Sequence, residues 1–239
     1  MLETIYEENL YFVREKIQMN IAENILKHSL KNVYFLAGTA CGGKTTMANE
    51  LSKKYGFIHF NDNWHEDNFK IWQSIIDEKY QKSAAKRENI TDWEAYFSRS
   101  VEEFLSVQEC YNEDDEYLEF AIIELIKLSQ NNIVVADICA PIQLLTELSD
   151  HNRIACLLAP AEFVIRDYYS RDDHKEFIEC IMSLKESESK IETQNELFRI
   201  GVQKTFEDVD KYNLFNIVRN NESTVEETLK LLENHFGLL

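Results

Sequence analysis

The stretch Gly38-Thr39-Ala40-Cys41-Gly42-Gly43-Lys44-Thr45 holds three of the chain's six glycines and fits the spacing G-x-x-x-x-G-K-[ST]. Those residue types in that order suit the grip of a polyphosphate. Glycines let backbone N–H groups turn inward around an anion, and the positive end of a following helix favours the same charge. Lys44 supplies a compact cation for β- and γ-phosphates, and the Thr45 hydroxyl one residue on is placed to ligate Mg²⁺. Gly38, Cys41, Gly42, Gly43, Lys44, Thr45 and Thr46 are therefore the candidate nucleotide-binding residues, with Lys44 also catalytic.

Such a loop needs a strand to enter it and a helix to leave it. Val33 to Ala37 is an apolar, strand-like run that leads in, and Lys44 to Tyr55 reads as a helix closed by Gly56. Four further runs read as strands: Phe57 to Phe60, Ile133 to Ala136, Ile154 to Leu158 and Leu214 to Val218. Helical patterns separate them, which implies an α/β domain whose parallel sheet is covered on both faces and binds ligands at the strands' carboxyl ends. The only two prolines, Pro141 and Pro160, lie just beyond such ends. Asp137 ends the run Ile133-Val134-Val135-Ala136 and is the candidate to hold Mg²⁺ directly or through water; the competing role is a helix cap.

Ile17, Ile21 and Ile25 recur every four residues and predict a helical extension over residues 1–31, ahead of a main domain over 32–239. Between the second and third strands, residues 64–130 carry no strand signal. Phe69, Trp72, Ile76 and Tyr80 share one helical face, and Thr91-Asp92-Trp93-Glu94 reads as a capping box opening a helix through Phe97, Val101 and Leu105. A third helix runs through Leu118, Ile122, Leu125 and Ile126. No Pro/Gly/Ser linker sets this block apart, so it reads as a helical insertion in one domain.

The chain's 239 residues, 44% of them hydrophobic, suffice for one α/β core, while a net charge of −18 disfavours nucleic acid and anionic membrane as partners. A phosphate site in such a chain must be locally basic. The first thirty residues carry charges throughout and no apolar run approaches the ~20 residues that span a bilayer, so neither signal peptide nor membrane span is expected. Cys41, Cys110, Cys139, Cys156 and Cys180 are scattered as reduced thiols of a cytoplasmic protein would be. Cys41 sits where a helix N-terminus lowers a thiol pKa, or is ordinary loop filler. The six histidines show no zinc-binding spacing.

With its loop, strand ends and insertion, the chain over roughly residues 32–236 resembles the P-loop kinases of small molecules, the group of adenylate and other nucleoside monophosphate kinases, shikimate kinase and chloramphenicol phosphotransferase. The resemblance implies five parallel strands in spatial order 2-3-1-4-5, a Mg-ATP donor and a small acceptor. It makes Asp62, after the second strand, the candidate general base, against the alternative of an Asn/Asp turn. Ile138 stands where the monophosphate kinases have glycine in the turn after Asp137, which weakens a shared acceptor contact there. The run Arg166-Asp167-Tyr168-Tyr169-Ser170-Arg171 looks like the arginine-bearing lid of these kinases, with Arg166 and Arg171 facing the transferring phosphoryl group, or it is a solvated face. Arg219 and Asn220 match the loop that wraps adenine, where Ser223 or Thr224 caps the next helix. Arg87 and Arg99 are candidates for an anionic acceptor, and Trp64, Trp72, Trp93, Tyr96 and Phe97 for stacking on a ring or for core.

A cytoplasmic ATP- and Mg²⁺-dependent kinase of a small molecule is the expected function, with a nucleoside or nucleotide as first choice of acceptor and a sugar, antibiotic or other metabolite beside it. A regulatory GTPase lacks support, since no N-K-x-D follows a late strand and no D-x-x-G stands at Asp137. The rival is a nucleotide-binding regulator or ATPase without a phosphoryl acceptor.

Overall fold

A computed structural model describes residues 25–61, 92–106 and 116–239. Side chains alternate along β1 (Val33–Gly38), and that alternation builds two cores. Val33, Phe35 and Ala37 enter one and Tyr34 and Leu36 the other, all almost fully buried. A strand buried on both faces must be apolar throughout and roofed by helices on each side. Each large apolar side chain so buried contributes about 1.5–3 kcal/mol.

β2 (Ile58–Asn61), β3 (Val134–Asp137), β4 (Ile154–Leu158) and β5 (Asn216–Val218) complete an all-parallel sheet in the order β2-β3-β1-β4-β5. In chain order the helices are α1 (Lys44–Tyr55), α2 (Trp93–Phe97), α3 (Glu116–Ser129), α4 (Ile142–Leu148), α5 (Ala161–Tyr168), α6 (Lys175–Ser183), α7 (Ser187–Lys211) and α8 (Val225–Phe236). One face of the sheet packs against Met47, Ala48 and Leu51 of α1 and Leu232 and Phe236 of α8. The other packs against Leu125 of α3, Leu145 and Leu148 of α4 and Val209 of α7.

The register makes a crevice. Leu36 and Asn61 both align with Asp137, and Gly38 aligns with Leu157, so the carboxyl ends of β1, β2, β3 and β4 are level. From β1 the chain passes first to the β3 side and later to the β4 side. β1 is therefore the point where strand order reverses, and its carboxyl end opens a crevice between its neighbours.

Strand positions agree with the sequence pattern to within a residue or two, and α1 with its closing Gly56 (φ 71°) agrees to the residue. The helix opened near Thr91 differs in two ways. Asp92, not Thr91, is its cap, accepting from the Ala95 amide at 3.0 Å. It also stops at Phe97 instead of running through Val101 and Leu105. The Ser98 hydroxyl turns back to the Glu94 carbonyl at 2.6 Å, and Ser100 with Glu103 forms a new capping box for the helix over 101–106. The periodicity crosses this break because the apolar spacing persists while the backbone restarts. Of the extension over 1–31 only residues 25–31 are described, and only 25–29 of these are helical; Phe69, Trp72, Ile76 and Tyr80 lie outside the described residues.

Candidate nucleotide site

The loop after β1 is pinned from beneath by β4. A Cβ on Gly38 (φ 119°) would stand 2.1 Å from the Leu157 carbonyl oxygen, and one on Gly42 would stand 2.2 Å from the same atom. Only glycine lets the backbone come that close. Thr39 completes the attachment: its amide donates to Leu157 O at 3.2 Å, and its buried hydroxyl accepts from the Ala159 amide at 2.6 Å and donates to the Ala159 carbonyl at 3.2 Å. Cys41 (φ 57°) and Gly43 (φ 97°) are left-handed on either side of Gly42. Such alternation is the backbone pattern of anion-binding concavities, although the Gly42 amide here donates to the Thr39 carbonyl at 3.3 Å. α1 then begins with no side-chain cap, so its first N–H groups are left for a ligand.

Lys44 and Thr45 stand over this cradle. The Lys44 ammonium lies across its own loop, donating to Thr39 O at 2.9 Å and Gly38 O at 3.4 Å. Thr45 Oγ1 donates to Asp137 Oδ2 at 2.5 Å, joining residues 92 positions apart. Asp137 is buried at the end of β3, and the helix that follows is capped by Pro141, so Asp137 serves no cap there. Among the described residues no group of three or more His, Cys, Asp or Glu is placed to hold a metal unaided. A hydroxyl and a carboxylate side by side suit a hard, oxygen-seeking divalent ion that draws its other ligands from phosphate and water.

A cavity of about 560 Å³ opens above the loop. Its floor is Ala40 to Met47, one wall is Asp167, Ser170 and Arg171, and the other is Ile217, Arg219, Ser223, Thr224, Val225 and Thr228. Lys44, Arg171 and Arg219 face it, with Asp167 as the one carboxylate among the described residues that line it. The site is thus locally basic inside a chain of net charge −18. The volume suits a nucleotide-sized ligand.

The lid candidates divide. Arg171 lines the cavity beside Cys41, whereas Arg166 does not line it. Arg166 binds Asp167 through Nε at 2.5 Å and Nη2 at 2.9 Å and lies over the Phe163 ring. That pairing holds the Asp167 carboxyl below its usual range. The chain behind them is anchored: Tyr168 packs on Phe198, and the Tyr169 hydroxyl, pushed up to about 12 by burial, donates to Asn195 at 3.0 Å. Burial also raises the Cys41 thiol pKa, outweighing the nearby Arg171 charge that pulls it down, so a thiolate is not favoured.

Arg219 lines the cavity and also reaches the loop. Its Nη1 donates to Cys41 O at 2.8 Å and its Nη2 meets Asp167 Oδ2 at 3.0 Å, joining the end of β5, the loop after β1 and α5. Asn220 is turned into its own loop, accepting from Glu222 N at 2.8 Å and Ser223 Oγ at 3.1 Å, and does not line the cavity. Thr224 caps α8, accepting from Glu227 N at 3.2 Å. Asp62, Trp64, Trp72 and Arg87 lie outside the described residues. In α2, Phe97 is core, Trp93 stacks on it, and Arg99 covers the ring of Tyr96. Ile138 is buried in the core, so that turn carries an apolar anchor where the resembled kinases have glycine.

Thr39, Asp167 and His59 are site residues that motif reading passes over. Thr39 occupies a variable motif position, and Asp167 was hidden between two arginines. His59 shares a face of β2 with Asn61, and that alternation of two polar residues was the available signal. Burial pushes the His59 pKa below its ordinary value against the pull of nearby Asp137, leaving a neutral ring. Among the described residues no helix is long and apolar enough to cross a membrane. Compared with protein-family models and with curated proteins, the chain matches none.

Proposed function

We propose that this protein binds Mg-ATP through the loop Gly38–Thr46 and transfers the γ-phosphoryl group to a hydroxyl or phosphate of a small acceptor, with a nucleoside or nucleotide as first choice. The single observation that carries the reading is the meeting of Thr45 and Asp137 at 2.5 Å, beside a glycine loop pressed onto β4. Loop amides and Lys44 hold the β- and γ-phosphates. Lys44 releases Thr39 O and Gly38 O to do so, exchanging two neutral carbonyl acceptors for anionic ones. Thr45 and Asp137 would hold Mg²⁺, which would supply positive charge to the phosphates. Arg171 and Arg219 add positive charge over the phosphates from the cavity walls. Asp62 remains the proposed base that orients or deprotonates the acceptor hydroxyl.

One observation favours the rival without an acceptor: Arg166 is paired with Asp167 and does not line the cavity. Product analysis separates the two. The full chain is incubated with Mg-ATP and panels of nucleosides, nucleotides, sugars and alcohol-bearing antibiotics. A phosphorylated acceptor is the expected result; inorganic phosphate alone, or no turnover with nucleotide bound, establishes the rival.

A further inference from the structure

β2 carries a second polar group to the Thr45–Asp137 pair. His59 Nε2 lies 3.9 Å from Asp137 Oδ2 and is buried without a hydrogen-bond partner among the described residues. Its other nitrogen, Nδ1, stands 3.1 Å from Asn49 Oδ1 on α1. A carbonyl oxygen only accepts, so Nδ1 carries the proton and Nε2 presents a lone pair. Two acceptors, an imidazole nitrogen and a carboxylate oxygen, therefore face each other with no donor between them. A buried acceptor left unpaired is costly, and the facing carboxylate adds to that.

A donor shared by both atoms removes the conflict. Two acceptors bonded to one water at ~2.8 Å each stand roughly 4 to 4.5 Å apart, close to the separation seen. A hydrated divalent cation at Thr45 supplies such a water with its protons directed outward. Resting on the nucleotide reading above, we propose that His59 is a positioning residue of the cation site, its Nε2 accepting a hydrogen bond from a water of the Mg²⁺ held by Thr45 and Asp137. Asn49 fixes the tautomer and the ring plane, as outer partners of metal sites commonly do. The bland alternative is that His59 only packs α1 against β2.

Calorimetry with ATP and Mg²⁺, with ATP in EDTA, and electron paramagnetic resonance with Mn²⁺ alone test this on the full chain. His59→Leu is expected to weaken Mg²⁺-dependent ATP binding and Mn²⁺ binding roughly 10- to 100-fold while leaving ATP binding in EDTA unchanged. His59→Gln, whose amide oxygen restores an acceptor, is expected to return both to within about threefold of the parent. Wild-type metal dependence in the Leu variant, or an equal loss with and without metal, overturns the proposal. If the parent binds no ATP at all, the nucleotide reading fails, and the Mn²⁺ comparison still judges His59.

Discussion

The two sides of the cavity hold their charges by different means. On the loop side, position comes from backbone: Gly38 and Gly42 pressed on Leu157, Thr39 locked to Ala159, Asp137 buried at a strand end. On the lid side it comes from side chains pairing with one another, Arg166 and Arg219 sharing Asp167 at the surface. Buried backbone contacts cannot rearrange without losing packing, whereas exposed ion pairs are worth little and exchange readily. The loop side is therefore held in place by its backbone, whereas the ion pairs on the opposite wall are free to re-pair.

Overfilling the loop attacks the backbone-held side most directly. Gly42→Ala puts a methyl 2.2 Å from the Leu157 carbonyl, so the loop must lift from β4. A loss of roughly 2–3 kcal/mol in stability, read by urea denaturation, together with at least a hundredfold loss in nucleotide affinity is expected. Stability near the parent's would mean that the loop is not seated as described. Thr39→Val is next: it conserves shape but strips the partner from the buried Ala159 amide and carbonyl. The expected cost is about 1–3 kcal/mol, with affinity falling alongside.

The lid side predicts smaller effects with opposite signs. Asp167→Asn removes a carboxylate lining the cavity and releases Arg166 and Arg219, so ATP affinity should rise about two- to fivefold. Arg219→Gln should lower it by a similar factor, because the Cys41 carbonyl loses its brace and the phosphates lose a cation. Titration calorimetry at two salt concentrations reads both. Equal losses in the two variants would show the lid side to be as rigidly built as the loop.

Legibility follows the same division. The loop, β1 and α1 were readable because local rules govern them: glycine where φ is positive, an apolar run buried on both faces, a helix closed by Gly56. Asp137 was readable as a carboxylate at a strand end, but its contact with Thr45 is a product of register between β1 and β3. Arg219 is legible as a residue after the last strand, but its reach to Cys41 depends on how β5 sits beside β4. The break at Ser98 was hidden because apolar spacing carried on across it, while two serine hydroxyls decided the backbone. Long-range pairing and side-chain competition leave no periodic trace.

The smallest expected effect is one of pH on the far edge of the sheet. Burial against Phe215 holds the His235 pKa below its ordinary value, although the ring also contacts the Ile154 carbonyl at 2.9 Å. A depressed folded-state pKa means the unfolded chain binds more protons as pH falls through about 6.5, so that part of the stability is present above this pH and lost below it. His59 acts in the same direction. Thermal midpoints should decline gently from pH 7 to 5.5, and His235→Gln should flatten the slope.

The pairing of Thr45 with Asp137 is tested most directly by titrating Mg²⁺ into the ATP complex of the parent and of Asp137→Ala, following nucleotide affinity by calorimetry. The parent should bind ATP more tightly as Mg²⁺ rises, and the variant should bind with little response to the metal. ATP binding that ignores Mg²⁺ in the parent, or an undiminished response in Asp137→Ala, would contradict the assignment of that pair as the cation site.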